Sequence, residues 1–232
     1  MSNIFKIILY APLFNALIFL SSFMPNRDLG LAIIALTVVI RLIFLPLSMK
    51  AQRSQKALNA IGPKIQAIKD KYKNDRTAQG AAMMQLYKDN NINPVAGCVP
   101  ILIQLPILIA LYQAFIAGLK PESLSMLYSF VPSPESLNTL FLGFLNIAGK
   151  NPLLAVLAGV LQYFQAKQSM SYMKASGAGA SPQVAAINAQ MLYFLPIMII
   201  VLGWSLPAGL VLYWITTTVF SVGEQMYLKR NQ

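Results

Sequence analysis

The sequence has no histidine and one cysteine, Cys98, among its 232 residues. Without histidine, Ser-His-Asp and Cys-His nucleophiles, histidine-ligated zinc and imidazole proton relays are all excluded. A single cysteine forms neither an intrachain disulfide framework nor a cysteine-cluster metal site. We therefore expect no metal and no cofactor.

Charge is also scarce. Only 11% of the residues are charged, whereas a soluble domain typically carries about 25%. The chain is 56% hydrophobic and its mean hydropathy is +0.58. This composition argues against a soluble enzyme or a free nucleic-acid-binding domain and predicts an integral membrane protein.

The charge-free stretches locate the predicted membrane spans. No charged residue lies between Asp89 and Lys120, or between Lys174 and Glu224. Because a helix crosses the hydrocarbon in about 20 residues, the first gap holds one span and the second holds two. The predicted transmembrane helices are residues 29–49, 95–118, 152–170, 187–203 and 207–225.

Residues 4–24 form a further apolar stretch with three interpretations. Its polar residues do not share one face, so periodicity does not require a flat interfacial helix. A spanning helix is a second interpretation. A cleavable signal peptide is a third, although Lys6 makes a weak basic region and no A-x-A site is evident.

Basic residues in the loops predict the orientation. Residues 50–94 contain nine Lys or Arg against three Asp, and residues 171–186 and 226–232 contain basic residues but no acidic ones. Residues 119–151 carry two of each sign. We therefore place the first three segments in the cytoplasm and 119–151 outside. Most of the net charge of +11 then reflects topology, and a nucleic-acid role is reduced to contact with ribosomal RNA.

The cytoplasmic segment 50–94 has the pattern of a helical hairpin. In its first arm, apolar residues recur at alternating spacings of three and four, and Gly62-Pro63 should kink or break that arm. Thr77 is the predicted N-cap of the second arm. The alternative is a plain linker between spans. The apolar positions are Leu58, Ile61, Ile65, Ile68 and Tyr72 in the first arm, and Ala82, Met83 and Leu86 in the second.

Arg41 lies in the middle of the first predicted span, where an arginine costs about 2.5–3.5 kcal/mol. Thr37 and Ser48 fall on the same side of the helix. No acidic residue lies inside a predicted span, since Asp28 and Glu224 are at span ends. We therefore expect water, hydroxyl, amide or carbonyl groups to satisfy Arg41 in a hydrated polar cavity.

Polar residues in other spans are candidates to line this cavity. Each one alone is more typical of a hydrogen bond between helices. Together with Arg41, they suggest a wet groove with apolar walls, which suits amphiphilic substrates better than ions. The candidates are Gln104, Gln162, Gln165, Ser169, Tyr213, Thr217, Ser221 and Glu224.

Several motifs resemble one family in order and spacing. Residues 93–112 read NPVAGCVPILIQLPILIALY, and residues 207–214 read PAGLVLYW. Shorter matches are PKIQ at 63–66, MMQLYK at 83–88 and the segment around Arg41. In these motifs, the sequence resembles the YidC-type membrane protein insertases of the YidC/Oxa/Alb family.

The resemblance implies an all-α integral membrane protein with a five-helix transmembrane core and a cytoplasmic helical hairpin at 50–94. It implies an interfacial helix within residues 1–28, on the outer surface of the bacterial cytoplasmic membrane. The N-terminus would be outside and the C-terminus, within 226–232, cytoplasmic. The family's groove arginine corresponds to Arg41 and its hydroxyl neighbour to Thr37. Its substrate-contacting positions correspond to Leu105, Leu108, Tyr213 and Trp214.

The implied activity is that of an insertase or membrane chaperone, which takes nascent hydrophobic segments into the groove and releases them to lipid. No bond is made or broken, so the protein would not be an enzyme. The implied partners are nascent membrane proteins, lipids, the ribosome and the Sec translocon. The short sequence after Tyr227 weakens the expectation of ribosome docking, and Thr216–Thr218 stand where relatives carry Asn.

The sequence leaves two other functions open. One is a small anion or solute transporter that uses Arg41 as its binding charge, although no internal repeat typical of many transporters is evident. The other is a passive scaffold whose hairpin recruits partners.

Overall fold

The computed structural model describes residues 3–93, 99–118, 126–134, 137–174 and 182–230, and Cys98 lies outside these ranges. A π-helical stretch, Lys6–Tyr10, joins α1 to α2, and antiparallel strands β1 (Leu140–Phe141) and β2 (Leu145–Asn146) form a hairpin. The helices in the described ranges are α1 (Asn3–Phe5), α2 (Ala11–Phe23), α3 (Leu29–Ala60), α4 (Gly62–Lys71), α5 (Arg76–Asp89), α6 (Val99–Gly118), α7 (Pro152–Lys174), α8 (Pro182–Ser205) and α9 (Ala208–Arg230).

The prediction of an all-α protein is confirmed for the part of the chain that the structure describes. Two helical stretches there, Lys6–Phe23 and Leu29–Leu58, are long and apolar enough to cross a membrane, with mean hydropathies of 1.6 and 2.5. The number of helices that span the bilayer stays a prediction. The predicted span 29–49 lies within α3, which continues without a break to Ala60.

The N-terminal helical stretch packs against α3 and α6 along one side. Tyr10 and Phe14 are buried with stacked rings 5.9 Å apart, whereas Ile7 and Ile8 are exposed. The amide of Asn15 is also buried: its Nδ2 donates to the carbonyls of Ala11 and Met126, and its Oδ1 accepts from the N–H of Tyr128. The stretch is therefore joined to the segment that follows α6.

The segment containing the β-hairpin holds three helix N-termini together. The buried carboxylate of Asp28 caps α3 by accepting from the N–H groups of Gly30 and Leu31, and its second oxygen accepts from Leu142 N–H at 2.7 Å. Asn151 caps α7 through Leu154 N–H, and the first N–H of α9, on Ala208, donates to Gly149 O. Because α3 and α9 begin at this same end and pack together, they run parallel.

The β-hairpin turn needs a glycine at one position. The register pairs Leu140 with Asn146 and Phe141 with Leu145, so residues 142–144 form the loop. Gly143 has φ +82°, a left-handed conformation that glycine adopts without steric cost.

The main core lies where α2, α3, α6 and α9 meet. Its buried members include Ile33 and Leu36 on α3, Leu111 on α6 and Leu210 on α9, and Ile147 closes it at the hairpin end. A second cluster joins α7, α8 and α9 through Ala158, Ile199 and Val211. In this arrangement, α3, α6 and α9 lie next to one another and surround a common cavity.

Small residues set the close approach of α7 and α8. A Cβ added to Gly159 would lie 2.4 Å from Cγ1 of Ile200 and 3.0 Å from the carbonyl of Pro196. Glycine and alanine at helix interfaces allow this kind of packing.

We expect Gly159→Leu to destabilise the protein by about 1–3 kcal/mol through overpacking. The measurement is thermal unfolding in detergent. Gly223→Ala is the matched control, because no atom lies within 4 Å of the added Cβ and the substitution should not lower the midpoint. Equal midpoints for Gly159→Leu and the parent would contradict the close packing of α7 against α8.

The segment after the first predicted span confirms the predicted break at Gly62-Pro63 and differs from the expectation in its second helix cap. The chain breaks at Ile61, and α4 begins at Gly62 with Pro63 in its first turn, where proline is tolerated. The prediction that Thr77 caps the second arm is wrong. Asp75 caps α5 instead, since its carboxylate accepts from Ala78 N–H at 2.9 Å.

The connection between the last two helices is shorter than predicted. Because α8 extends to Ser205, only Leu206 and Pro207 separate it from α9. The helix α8 has 24 residues, rather than the 17 of the predicted span 187–203.

Candidate functional site

A pocket of about 530 Å³, including the space open to the surroundings at its mouth, lies among α3, α6 and α9. Its lining combines six polar side chains with five apolar ones. The polar residues are Thr37, Arg41, Ser48, Gln104, Tyr213 and Thr217, and the apolar residues are Ile40, Phe44, Leu47, Ala51 and Ile107.

Helix α3 supplies the charged wall. Thr37, Arg41 and Ser48 share one side because their spacings of four and seven residues match whole helical turns. The Thr37 hydroxyl is buried and donates to the carbonyl of Ile33 at 2.6 Å, so only its oxygen lone pairs remain for the pocket. Arg41 is half-buried, and among the residues that line the pocket it alone is charged.

The opposite wall consists of neutral hydrogen-bonding groups. Gln104 Nε2 on α6 donates to the hydroxyl oxygen of Tyr213 on α9 at 2.5 Å, and Tyr213 lies close enough to Arg41 for an electrostatic interaction. Thr217 is 8% exposed, and its hydroxyl has no hydrogen-bond partner among the described residues. The wall is therefore polar but uncharged, in contrast to the α3 wall.

The mouth of the pocket is apolar. Phe44 and Leu47 line the pocket and are 37% and 40% exposed. Together with Arg41 they give the pocket an exposed apolar part and a half-buried charge, which fits an amphiphilic segment better than a free ion.

Five of the residues predicted from the sequence lie together in this pocket: Thr37, Arg41, Gln104, Tyr213 and Thr217. Their proximity is a geometric finding, and their contact with a substrate stays a prediction.

Several other predicted residues do not line the pocket, among them four named as substrate-groove positions. Leu105 is exposed on the outer side of α6, and Leu108 packs against the main core. Gln162 is buried between α7 and α9, where its amide donates to Gln165 and accepts from Thr218. Trp214 packs against the second core cluster. For Gln162, the structure shows a hydrogen bond between helices, and the part of these four residues in substrate binding stays a prediction.

Sequence reasoning missed the apolar half of the lining. On α3, Phe44 and Ala51 follow Arg41 and Ser48 by three residues, so helical spacing finds them, whereas Ile40 and Leu47 directly precede those polar residues and carry no such signal. The missed residues are Ile40, Phe44, Leu47 and Ala51 on α3 and Ile107 on α6.

The sequence places no acidic residue inside a span to pair with Arg41, and no hydrogen bond from Arg41 reaches an oxygen of Glu224. Glu224 is nevertheless 6% exposed and lies close enough to Arg41 for an electrostatic interaction, beside Ser48 and Gln52. The physical reason is that α3 and α9 are parallel. Tyr213 and Glu224 are 11 residues apart on α9, and Thr37 and Ser48 are 11 residues apart on α3. Two parallel helices with these equal spacings bring Tyr213 near Thr37 and Glu224 near Ser48.

The fold and the pocket define a helical membrane protein with an arginine side chain in a pocket among its helices. The sequence profile of the 60Kd inner membrane protein family matches residues 19–232, and the chain belongs to this family. Like its relatives, the chain is thus a member of an inner-membrane protein family.

Three bacterial relatives illustrate the similarity, and each bears the name membrane protein insertase YidC. The relative from Fusobacterium nucleatum is 32% identical over 88% of this chain and 87% of its own length. Those from Geobacter sulfurreducens and Pelobacter propionicus are also 32% identical, over 95% and 87% of this chain. The chain spans only about a third of the length of these two, 37% and 35%.

Proposed function

We propose that this protein is a membrane protein insertase that receives nascent hydrophobic segments in the Arg41 pocket and releases them into the bilayer. The observation that carries the proposal is the arginine set behind an apolar mouth among α3, α6 and α9. The names of the relatives support the same function.

The mechanism follows from the two kinds of surface. Arg41, Tyr213 and Thr217 offer charge and hydrogen bonds to the polar flank of a substrate, which lowers the cost of moving that flank into the membrane. The apolar part of the substrate leaves past Phe44 and Leu47. Burial of apolar surface, about 25 cal/mol per Å², supplies the free energy. No covalent step is needed, so the proposed activity is not enzymatic.

The proposal includes the topology that the loop charges predict. Five helices, α3 and α6 to α9, cross the bilayer, with the N-terminus outside and the C-terminus in the cytoplasm. The hairpin of α4 and α5 then stands in the cytoplasm, where nascent membrane proteins, the ribosome and the Sec translocon are accessible to it. The end that carries the β-hairpin faces outward.

The test is insertion by the purified protein in liposomes. The substrate is a single-span protein with a short polar flank, and the liposomes also contain a trapped anion and a trapped neutral solute. We expect flank translocation, seen as protease protection, without solute efflux. Protein-free liposomes are the control. Solute efflux without insertion would contradict the insertase and favour the transporter.

A further inference from the structure

A carboxylate lies buried at one end of the pocket without a partner in the described part of the chain. Glu224 on α9 is 6% exposed, and neither of its oxygens accepts a hydrogen bond from a described residue. Ser48 and Gln52 lie beside it on α3 and make weak polar contacts with it, but neither forms a hydrogen bond of good geometry to its oxygens. A buried polar group without a well-formed hydrogen bond costs free energy, so this site favours a ligand that satisfies it.

Ser48 joins the carboxylate to the pocket, because it lines the pocket and also lies beside Glu224. Arg41 lies seven residues before Ser48, about 10 Å along the helix axis. Arg41 is the charged residue of α3 that interacts electrostatically with Glu224. The interface of α3 and α9 thus presents a positive group and, further along the helix axis, a carboxylate.

Glu224 does not neutralise Arg41 by direct contact. The two groups interact electrostatically, yet no hydrogen bond from Arg41 reaches either oxygen of Glu224. Both charges remain available to a third group, and the positive one is nearer the end that carries the β-hairpin.

We propose that Glu224 is a second charged subsite of the pocket, which binds a lysine or arginine in the polar flank of a substrate. This inference rests on the proposed insertase function. An ammonium or guanidinium group donates several N–H bonds and satisfies a carboxylate that has none. Arg41 and Glu224 together then select flanks that carry an acidic and a basic residue about 10 Å apart, or about three residues in an extended chain.

The test compares two substrates that differ only by lysine or glutamine in the flank. For Glu224→Gln, we expect insertion of the lysine substrate to fall about tenfold, which corresponds to about 1.4 kcal/mol. The glutamine substrate should be inserted at the parent rate. Glu224→Asp should keep the preference for lysine, because it keeps the charge.

A double variant, Glu224→Gln with Gln225→Glu, is the matched control for net charge. It keeps one carboxylate but moves it about 100° around α9, away from Ser48. We expect this variant to behave like Glu224→Gln. Recovery of the lysine preference would overturn a defined subsite.

A second measurement does not depend on insertion. A photocrosslinking residue in place of Gln52 should capture a lysine-flanked peptide in detergent more efficiently than a glutamine-flanked one, and Glu224→Gln should remove the difference. Equal capture of both peptides by the parent protein would overturn the subsite. So would equal loss of both substrates in the insertion assay. If the parent protein captures the lysine peptide selectively but inserts nothing, the proposed function fails while the subsite stands.

Discussion

Arg41→Glu is expected to lower the insertion of a substrate with an acidic flank by at least about a hundredfold, or about 2.7 kcal/mol. The substitution replaces an attractive charge in the pocket with a repulsive one. It also places a second carboxylate near the buried Glu224. A substrate with a neutral flank should lose less, because it relies on the hydrogen-bonding wall of Gln104, Tyr213 and Thr217.

Two milder substitutions separate charge from geometry. Arg41→Lys should keep most activity, since an ammonium group also attracts an acidic flank and keeps water in the pocket. If the planar guanidinium must grip particular oxygens, Arg41→Lys should fail, because the two side chains are not interchangeable at bidentate sites. Arg41→Ala should impair acidic flanks chiefly and spare apolar ones. We favour the role of hydrated charge, as no described carboxylate lies in hydrogen-bond contact with Arg41.

The measurement is complementation of an insertase-depleted bacterium, together with insertion assays on paired substrates that differ only in flank charge. Arg53→Glu is the matched control, since Arg53 is exposed on the same helix and the net charge changes equally. This control should leave the ratio between the two substrates unchanged. Full activity of Arg41→Glu, or equal loss for acidic and neutral flanks, would contradict a role of Arg41 in binding the flank.

Helical periodicity and charge predict the helices that supply most of the pocket residues. Arg41 stands out in an apolar run, and Thr37 and Ser48 follow from the spacing on one helix. Tyr213, Thr217 and Glu224 form a second stripe on α9. Spacing along one helix is a local property, so the sequence alone shows both stripes, whereas the burial of these three residues comes from packing.

The pairing of the stripes is not local, and Glu224 shows the consequence. Its position at the end of a predicted span did not indicate that it lies near Arg41. The buried environment arises because α9 runs parallel to α3 and brings Glu224 beside Ser48 and Gln52. Only the register between two helices distant in sequence determines which polar residues face each other. The same holds for Gln162, which turns to Thr218 on α9 instead of the pocket.

Short-range competition explains the other errors. Asp75 and Thr77 are both good caps, and the helix begins after the first of them because its carboxylate reaches Ala78 N–H. The two-residue strands of the β-hairpin have no alternating pattern long enough to recognise. Their position depends on Asp28, which joins residues 114 apart through its bond to Leu142.

The hairpin of α4 and α5 has the second large expected effect. Neither helix contains a buried residue, and their main packing is with each other and, for α4, with the end of α3. The arms are held together by bonds such as that from Gln79 Nε2 to the carbonyl of Lys69. The hairpin is therefore an appendage whose removal takes little from the core. Its exposed surface includes Met84, an adaptable side chain for apolar contacts.

We expect replacement of residues 62–89 by a flexible Gly/Ser linker to leave a folded, membrane-integrated protein but to lower insertion at least about tenfold. The reason is that the deletion spares α3 and the whole pocket while removing the surface that we propose receives substrates or partners. The measurements are expression level, thermal unfolding in detergent and insertion into liposomes. A hairpin with Met84→Gln and otherwise unchanged is the matched variant that tests the apolar surface alone. An unchanged insertion rate after deletion would refute the receiving role, and an unfolded product would show that the hairpin supports the fold instead.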